Sequence, residues 1–211
     1  MRFEQIRLNH NVLELGKPLF HEIRGNWNDK FFRNTSPIIL EIGCGKGEYT
    51  IGLAKLFPEK NFIGIDIKGD RIAVGSNEAI VNNLTNVGFL RIKVQDLLNF
   101  FAENEVSEIW ITFPDPQPLV SGIRKRLTNK RFLEMYSHIL NQSGVLHLKT
   151  DSELFFKYSL ETLHSFGTKN LVFTEDLYQS ELNVRHFGIK TRFEEIFTEK
   201  GFLINYLSCE F

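Results

Sequence analysis

The chain has 211 residues, of which 42% are hydrophobic and 24% are charged, a composition ordinary for a globular protein. This length fits one domain with a core large enough to fold alone, so we expect a single domain over 1–211. No apolar run reaches about 18 residues, which argues against a membrane-spanning helix. The N-terminus carries acids and asparagines where a signal peptide needs an apolar stretch, so we expect a cytoplasmic protein. Monomer and homodimer both remain open.

The sequence gives no support for disulfide or metal chemistry. Two cysteines, Cys44 and Cys209, are too few for a disulfide framework, and we expect both to be small buried residues. No histidine has metal-ligand spacing to a cysteine or to another histidine, so no metal site is predicted.

Positive charge is concentrated in one segment, although the net charge is −1. No acidic residue lies between Asp115 and Glu134, and the cations in this interval are Arg124, Lys125, Arg126, Lys130 and Arg131. Such a run is usually a solvated surface. A nucleic-acid partner requires a local cationic surface rather than a positive net charge of the whole chain, so the net charge of −1 does not exclude such a partner.

Strands and helices alternate after an N-terminal extension, 1–36, which we expect to pack on the domain. In chain order the pattern predicts strand 38–42, helix 48–57, strand 61–66, helix 69–83, strand 87–94, a short helix 97–103, strand 106–113, helix 129–140, strand 145–149, helix 152–166, and strands 171–175 and 202–210. This alternation predicts an α/β, Rossmann-like fold with a mostly parallel seven-stranded sheet and helices on both faces. Ligands of such sheets bind beyond the carboxyl ends of the strands.

A glycine-rich turn follows the first predicted strand. Gly43, Gly45 and Gly47 remove side chains where the strand turns into a helix and let the backbone approach a ligand, so we assign them to a cofactor site. The spacing GxGxG differs from the GxGxxG of dinucleotide binders and from a P-loop. Alone, the turn is weak evidence, because glycine-rich turns are common in doubly wound proteins.

Three acids lie at or near the carboxyl ends of three successive predicted strands: Glu41, Asp66 and Asp96. Asp66 is placed to accept hydrogen bonds from ribose hydroxyls, Asp96 from an adenine amino group, and Glu41 to face an ammonium group. S-adenosylmethionine carries ribose, adenine and positive charge, whereas three carboxylates would repel the pyrophosphate of NAD. Charge therefore favours S-adenosylmethionine as the cofactor.

The fourth predicted strand ends in Phe113-Pro114-Asp115-Pro116. A proline on each side of Asp115 stiffens the backbone and fixes the direction of the carboxylate. The same tripeptide also favours an ordinary turn. Its place at the carboxyl edge, next to the glycine-rich turn, favours a functional carboxylate.

These motifs, in this order, resemble the bacterial tRNA (guanine-N7-)-methyltransferases, which methylate a guanine in the variable loop of tRNA. The resemblance runs from about Ile38 to the C-terminus and rests on LEIGCGKGEYT, GIDIKGDRI, FPDP at 113–116, RKRLT from Arg124, LKTD ending at Asp151 and TRFE at 191–194. It implies a class I methyltransferase fold, S-adenosylmethionine as cofactor and tRNA as partner.

The resemblance also implies roles for individual residues. Glu41, Asp66 and Asp96 match cofactor-binding positions, and Asp115 matches a residue shared by catalysis and cofactor binding. The positions that match substrate-binding residues are Asp151, Thr191, Arg192, Phe193 and Glu194.

One segment departs from the family, whose members usually read FPDPWPKKRHxKRRL. Gln117 stands in place of the tryptophan and Leu119 in place of a substrate-binding lysine, while Ser121 and Gly122 replace an Arg-His pair. No substrate role is therefore assigned to Leu119. Either Arg124, Lys125 and Arg126 supply the phosphate contacts, or the loop has a different conformation.

The implied chemistry suits these residues. Guanine N7 carries a lone pair and no proton, so it needs alignment and stabilisation of the growing positive charge rather than a general base. Asp115, Asp151 and Glu194 are the candidates for accepting hydrogen bonds from the guanine edge.

Three other functions remain open. A nicotinamide-dependent oxidoreductase would require GxGxxG, which the chain lacks. A small-molecule methyltransferase would not need the basic run. A non-catalytic RNA-binding subunit also remains open, because Leu119 stands where the family has a substrate-binding lysine.

Overall fold

The computed structural model describes residues 6–211, and its centre is an eight-stranded sheet. The strands are β1 (Val12–Leu13), β2 (Ile38–Ile42), β3 (Asn61–Asp66), β4 (Val87–Arg91), β5 (Val106–Thr112), β6 (Leu140–Thr150), β7 (Lys169–Thr174) and β8 (Asn205–Glu210). Their order across the sheet is β1-β4-β3-β2-β5-β6-β8-β7. Neighbouring strands from β1 to β6 are parallel, and β8 is antiparallel to both β6 and β7.

Helices cover both faces of this sheet. They are α1 (Glu48–Leu56), α2 (Gly69–Val81), α3 (Lys130–Ile139), α4 (Glu153–Phe166) and α5 (Arg192–Glu199). Side chains of β5 alternate between two apolar cores, as the pleat of a strand requires. Ile109 and Ile111 belong to the core that contains Phe132 of α3, whereas Trp110 belongs to the core that contains Tyr49 of α1.

The order of the strands reverses at β2. From this strand the chain proceeds to β3 and β4 on one side, and then returns to place β5 on the other side of β2. Such a switch point leaves a crevice beyond the carboxyl ends of the two central strands, where open α/β sheets bind their ligands. The fold therefore indicates a ligand site at the carboxyl ends of β2 and β5.

The predicted α/β class and the mostly parallel sheet are confirmed, but the number of strands was wrong by one. The additional strand is β1 in the N-terminal extension, where Val12 pairs with Phe89 and Leu13 with Leu90. A strand of two residues is too short to show a period in the sequence. Helix α5 was also missed, and the predicted helix 97–103 is a 3-10 helix at Val94–Asn99.

The described part of the N-terminal extension packs on the sheet through aromatic side chains. Trp27 is buried, stacks on Phe101 with ring centroids 5.4 Å apart, and donates a hydrogen bond from Nε1 to the carbonyl of Phe100 at 2.9 Å. It belongs to the same core as Ile109. Residues 1–5 of the extension lie outside the described residues.

Candidate active site

A cavity of about 320 Å³ opens at the switch point of the sheet. The residues that line it come from the end of β2 and the turn after it, the starts of α1 and α2, the end of β5 and the start of α5: Glu41, Gly43, Cys44, Gly45, Lys46, Glu48, Arg71, Thr112, Phe113, Thr191, Arg192, Phe193 and Ile196. This volume falls in the range of small-molecule sites.

The glycine-rich turn forms one wall of this cavity. Gly43, Gly45 and Gly47 have φ values of +77°, +54° and +75°, a left-handed region that other residues adopt at a cost. The amide of Gly43 donates to the carbonyl of Ile65 at 2.8 Å, and the amide of Gly45 donates to Oδ2 of Asp66 at 2.9 Å. The turn is therefore fixed to the end of the adjacent strand β3.

Glu41 lies in the floor of the cavity and is only 3% exposed. Its carboxylate accepts hydrogen bonds from the amide and the hydroxyl of Thr50 and, at 2.7 Å, from the hydroxyl of Thr112. Burial nevertheless raises the pKa of Glu41 to about 7, because these hydrogen bonds offset only part of the cost of desolvating the charge. A cationic group in the cavity would restore the charged form.

The start of helix α5 forms the facing wall. The hydroxyl of Thr191 accepts from the amide of Glu194 at 3.2 Å, and the carboxylate of Glu194 accepts from the amide of Thr191 at 3.3 Å. This reciprocal pair is a capping box. The amide of Arg192 donates to Oε2 of Glu48 at 3.2 Å, which joins this wall to the first turn of α1.

A buried ion pair anchors this second wall to the sheet. Nζ of Lys149 on β6 lies 2.7 Å from Oε1 of Glu194, and both side chains are 0% exposed. Tyr178 also donates to Oε1 of Glu194 at 2.7 Å. Burial lowers the pKa of Lys149, and the charge of Glu194 opposes that effect. Removing either partner would leave an uncompensated charge inside the protein.

The segment after β5 presents Asp115 to solvent. Phe113 and Gln117, on either side of it, both have left-handed backbones, with φ values of +49° and +46°. Oδ1 of Asp115 accepts from the amide of Gln117 at 3.0 Å. Asp115 does not line the cavity, but Thr112 and Phe113, which precede Pro114 and Asp115 in the chain, do line it.

The basic run divides into two environments. Arg124 and Lys125 are exposed, at the end of the 3-10 helix Val120–Lys125. Arg126 is only 6% exposed, and its guanidinium donates to the carbonyls of Pro116 and Gln117.

Of the predicted cofactor residues, the structure brings Glu41, Gly43 and Gly45 into the lining of the cavity. Gly47 is the N-cap residue of α1, and Asp66 holds the glycine-rich turn from behind. Asp96 is exposed in the first turn of its 3-10 helix and does not line the cavity.

Of the predicted substrate residues, Thr191, Arg192 and Phe193 line the cavity, and Asp151 lies half-buried after β6. Two predictions need correction. Glu194 has no exposed surface and its carboxylate is occupied by Lys149, Tyr178 and Thr191, so we no longer assign it to the guanine edge. Arg126 is buried against its own loop, so we no longer assign it to phosphate.

Sequence reasoning missed several residues of the cavity: Lys46, Glu48, Arg71, Thr112, Phe113 and Ile196. With Glu41 and Arg192 they give the lining three cations and two acids, so the lining is mixed in charge, whereas the charged cofactor residues predicted from the sequence were all acids. A ligand that carries both an ammonium and a carboxylate suits this lining. The start of helix α5 could have been predicted from the sequence, because T-x-x-E at 191–194 is the sequence signature of a capping box.

Both cysteines are free and buried, as predicted. Within residues 6–211, no three His, Cys, Asp or Glu side chains come together as candidate metal ligands. No helix in the described part of the chain is long and apolar enough to cross a membrane.

Comparison with known proteins defines the class of the protein as a methyltransferase. A family model described as "Putative methyltransferase" matches residues 35–205. The 16S rRNA methyltransferase KamB has the same fold, with a TM-score of 0.67 at 13% identity over 89% of this chain and 94% of that chain.

Curated relatives narrow the class to one family. A tRNA (guanine-N(7)-)-methyltransferase of Cytophaga hutchinsonii is 45% identical over 100% of this chain and 96% of the relative. A protein of the same name from Porphyromonas gingivalis is 47% identical over 92% of this chain and 78% of the relative. The chain belongs to the tRNA (guanine-N7-)-methyltransferase family.

Proposed function

We propose that the chain transfers a methyl group from S-adenosylmethionine to N7 of a guanine in the variable loop of tRNA. One observation carries the proposal: the cavity at the switch point has the buried carboxylate of Glu41 in its floor, and the exposed carboxylate of Asp115 lies on the loop that leaves the cavity at the end of β5. The relatives are tRNA (guanine-N(7)-)-methyltransferases, which supports tRNA as the substrate and guanine N7 as the atom methylated. The proposal includes a cytoplasmic location, since the substrate is tRNA, and a chain that acts as a monomer or homodimer.

The residues present fit the proposed cofactor. Glu41 is a buried carboxylate whose pKa burial raises to about 7, and an ammonium group bound beside it would favour the charged form. Lys46 and Arg71 line the same cavity and suit a carboxylate group. Asp66, half-buried behind the turn, is the candidate for the ribose hydroxyls and Asp96 for the adenine amino group.

The chain itself supplies position and charge. When bound, S-adenosylmethionine provides an electrophilic methyl group on a sulfonium. The carboxylate of Asp115 accepts from the amide of Gln117 on a loop with two left-handed residues, which fixes where the carboxylate lies. In this role it accepts hydrogen bonds from guanine and stabilises the positive charge that develops on the purine. Asp151, after β6, is the second candidate for the guanine edge.

The exposed cations are placed to hold the RNA backbone. Arg124 and Lys125 lie on the segment that leaves Asp115, and no acidic residue interrupts the sequence between Asp115 and Glu134. Phosphate contacts of this kind supply much of the affinity for nucleic acid. Arg192 and Phe193 at the cavity wall are exposed and are candidates to contact the base.

Two measurements test the proposal. Calorimetry with S-adenosylmethionine should show binding, which a nicotinamide-dependent oxidoreductase would not give. Labelled methyl transfer to bulk unmodified tRNA should show product, which neither a small-molecule methyltransferase nor a non-catalytic RNA-binding subunit would give. Cofactor binding without transfer to tRNA would contradict the proposed substrate.

Asp115→Asn should lower turnover far more than cofactor affinity. The amide keeps the shape of the side chain but removes its negative charge, so we expect single-turnover methylation to fall about 100-fold or more, by analogy with the loss of one electrostatic contact to a transition state. Cofactor affinity should stay within about threefold. Asp29→Asn, at an exposed position that does not line the cavity, is the control. A variant with wild-type chemistry would remove the electrostatic role from Asp115.

A further inference from the structure

We propose that Arg126 is a positioning residue, which fixes the backbone of Pro116 and Gln117 and through it the direction of Asp115. Its guanidinium therefore binds backbone carbonyls of the protein rather than phosphate. The inference rests on the proposed function, because Asp115 is the carboxylate whose position matters there.

The loop that carries Asp115 is in a costly conformation. Phe113 and Gln117 both have positive φ values, which L residues with large side chains rarely adopt. Such backbones persist only where the surroundings over-determine them. The two prolines beside Asp115 have no amide hydrogen, so the loop has few donors of its own with which to hold this shape.

Arg126 supplies the missing donors. Nε lies 3.2 Å from the carbonyl oxygen of Pro116 and 3.3 Å from that of Gln117, and Nη2 lies 3.1 Å from the Gln117 oxygen. Gln117 is thus held from both sides, since its amide donates to Asp115 while its carbonyl accepts from Arg126. A fork of fixed donors can satisfy adjacent carbonyls in a way that a single ammonium cannot.

The guanidinium is itself held in place. Its central carbon lies 4.5 Å from the centroid of the Tyr158 ring, a distance at which a cation and an aromatic face attract. Asn129 donates to the hydroxyl of Tyr158 at 2.9 Å, so the ring is fixed as well. Arg126 therefore links the start of α3 and the face of α4 to the loop after β5.

The positions at which this chain departs from its family fit the same arrangement. A Cβ on Gly122 would lie 3.0 Å from both Cβ and Oε1 of Gln117, so these two positions pack against each other. Glycine at 122 lets the 3-10 helix approach the side chain of Gln117. The loop keeps its shape through Gln117, Gly122 and Arg126 together.

Arg126→Lys separates the proposed role from phosphate binding, because lysine keeps the charge but loses the fork and the stacking. We expect kcat for tRNA methylation to fall about 10- to 100-fold, as for a misplaced catalytic group. The KM for tRNA and the salt dependence of tRNA binding should be unchanged. Hydrogen exchange in peptides covering 113–119 should become faster. Arg24→Lys, at an exposed arginine of the N-terminal extension, is the matched control.

Arg124→Gln provides the contrast. Loss of one phosphate contact should lower the slope of log affinity against log salt by about 0.7–0.9 and raise the KM for tRNA, without faster exchange in 113–119. If Arg126→Lys fails to fold, Tyr158→Leu removes the stacking surface and should give the same pattern as Arg126→Lys, with a smaller loss of kcat.

Two results would overturn the proposal. One is wild-type kcat and wild-type exchange in Arg126→Lys. The other is an Arg126→Gln variant whose salt slope falls as it does in Arg124→Gln, which would make Arg126 a phosphate contact. If the wild-type chain transfers no methyl group to tRNA, the proposed function fails, and the exchange measurement alone decides whether Arg126 holds the loop.

Discussion

The two walls of the cavity are held by different means. The glycine-rich wall, 43–47, is fixed to the neighbouring strand β3 by the amides of Gly43 and Gly45. The helical wall, 191–196, depends on a buried ion pair between residues 45 positions apart, Lys149 and Glu194. The first wall follows from local sequence and strand pairing. The second exists only once the C-terminal part of the chain has folded back onto β6.

The largest expected effect comes from breaking the ion pair. Lys149→Met leaves the carboxylate of Glu194 buried without its cation, so the free energy of unfolding should fall by about 3–5 kcal/mol. Urea denaturation measures this loss, and hydrogen exchange should locate it in 191–196. Lys169→Met, on the exposed edge strand β7, should change stability by less than about 0.5 kcal/mol.

A double variant tests whether the cost arises from the pair. Adding Glu194→Gln to Lys149→Met removes the unpaired charge while glutamine can still complete the capping box. The double variant should therefore be no less stable than Lys149→Met alone. If the losses of unfolding free energy in Lys149→Met and Glu194→Gln simply add in the double variant, the two side chains do not act as a pair. That result would contradict the conclusion that this ion pair holds the helical wall.

The floor of the cavity, beside the glycine-rich wall, is tested through Glu41, whose pKa burial raises to about 7. If an ammonium group binds the ionised carboxylate, affinity for S-adenosylmethionine is full above this pKa. Below it, affinity should fall by up to roughly tenfold per pH unit, because the proton must leave before the cation binds. Glu41→Gln should weaken binding by about 1–3 kcal/mol and remove this pH dependence.

Calorimetry between pH 5.5 and pH 8 would measure both effects, with the exposed Glu103→Gln as the control for loss of one carboxylate. An affinity that is independent of pH in the wild-type protein would rule out Glu41 as the group that meets the ammonium.

The smallest expected effect concerns the cap of α5. Thr191→Ala removes the acceptor for the amide of Glu194, and loss of such a cap costs about 1 kcal/mol in unfolding free energy. Thr191→Ser keeps the hydroxyl and should stay close to wild type in urea denaturation. If serine and alanine destabilise equally, the packing of the threonine methyl, and not the capping box, holds the start of the helix.

The difference between the walls also explains what the sequence could predict. The turn at 43–47 and the carboxylate of Glu41 were predictable, because a glycine-rich turn after a buried strand has a local signature. Glu194 was assigned to the substrate because it matches a substrate-binding position of the family, and Arg126 to phosphate because it belongs to the basic run 124–126. Their burial depends on Lys149 and on Tyr158, which are distant from them in sequence, and nothing in the sequence pairs Lys149 with Glu194 or Tyr158 with Arg126. Helix α5 was missed although Thr191 and Glu194 carry its capping signature.

The proposed reaction at guanine N7 is tested most directly by removing that atom from the substrate. Two tRNAs would be compared, one unmodified and one in which 7-deazaguanosine replaces the target guanosine of the variable loop. 7-Deazaguanosine has a carbon in place of N7 and so lacks the attacking lone pair. With labelled S-adenosylmethionine, we expect stoichiometric methylation of the unmodified tRNA and none of the 7-deaza tRNA, with equal binding of both. Equal methylation of the two would contradict transfer to that N7.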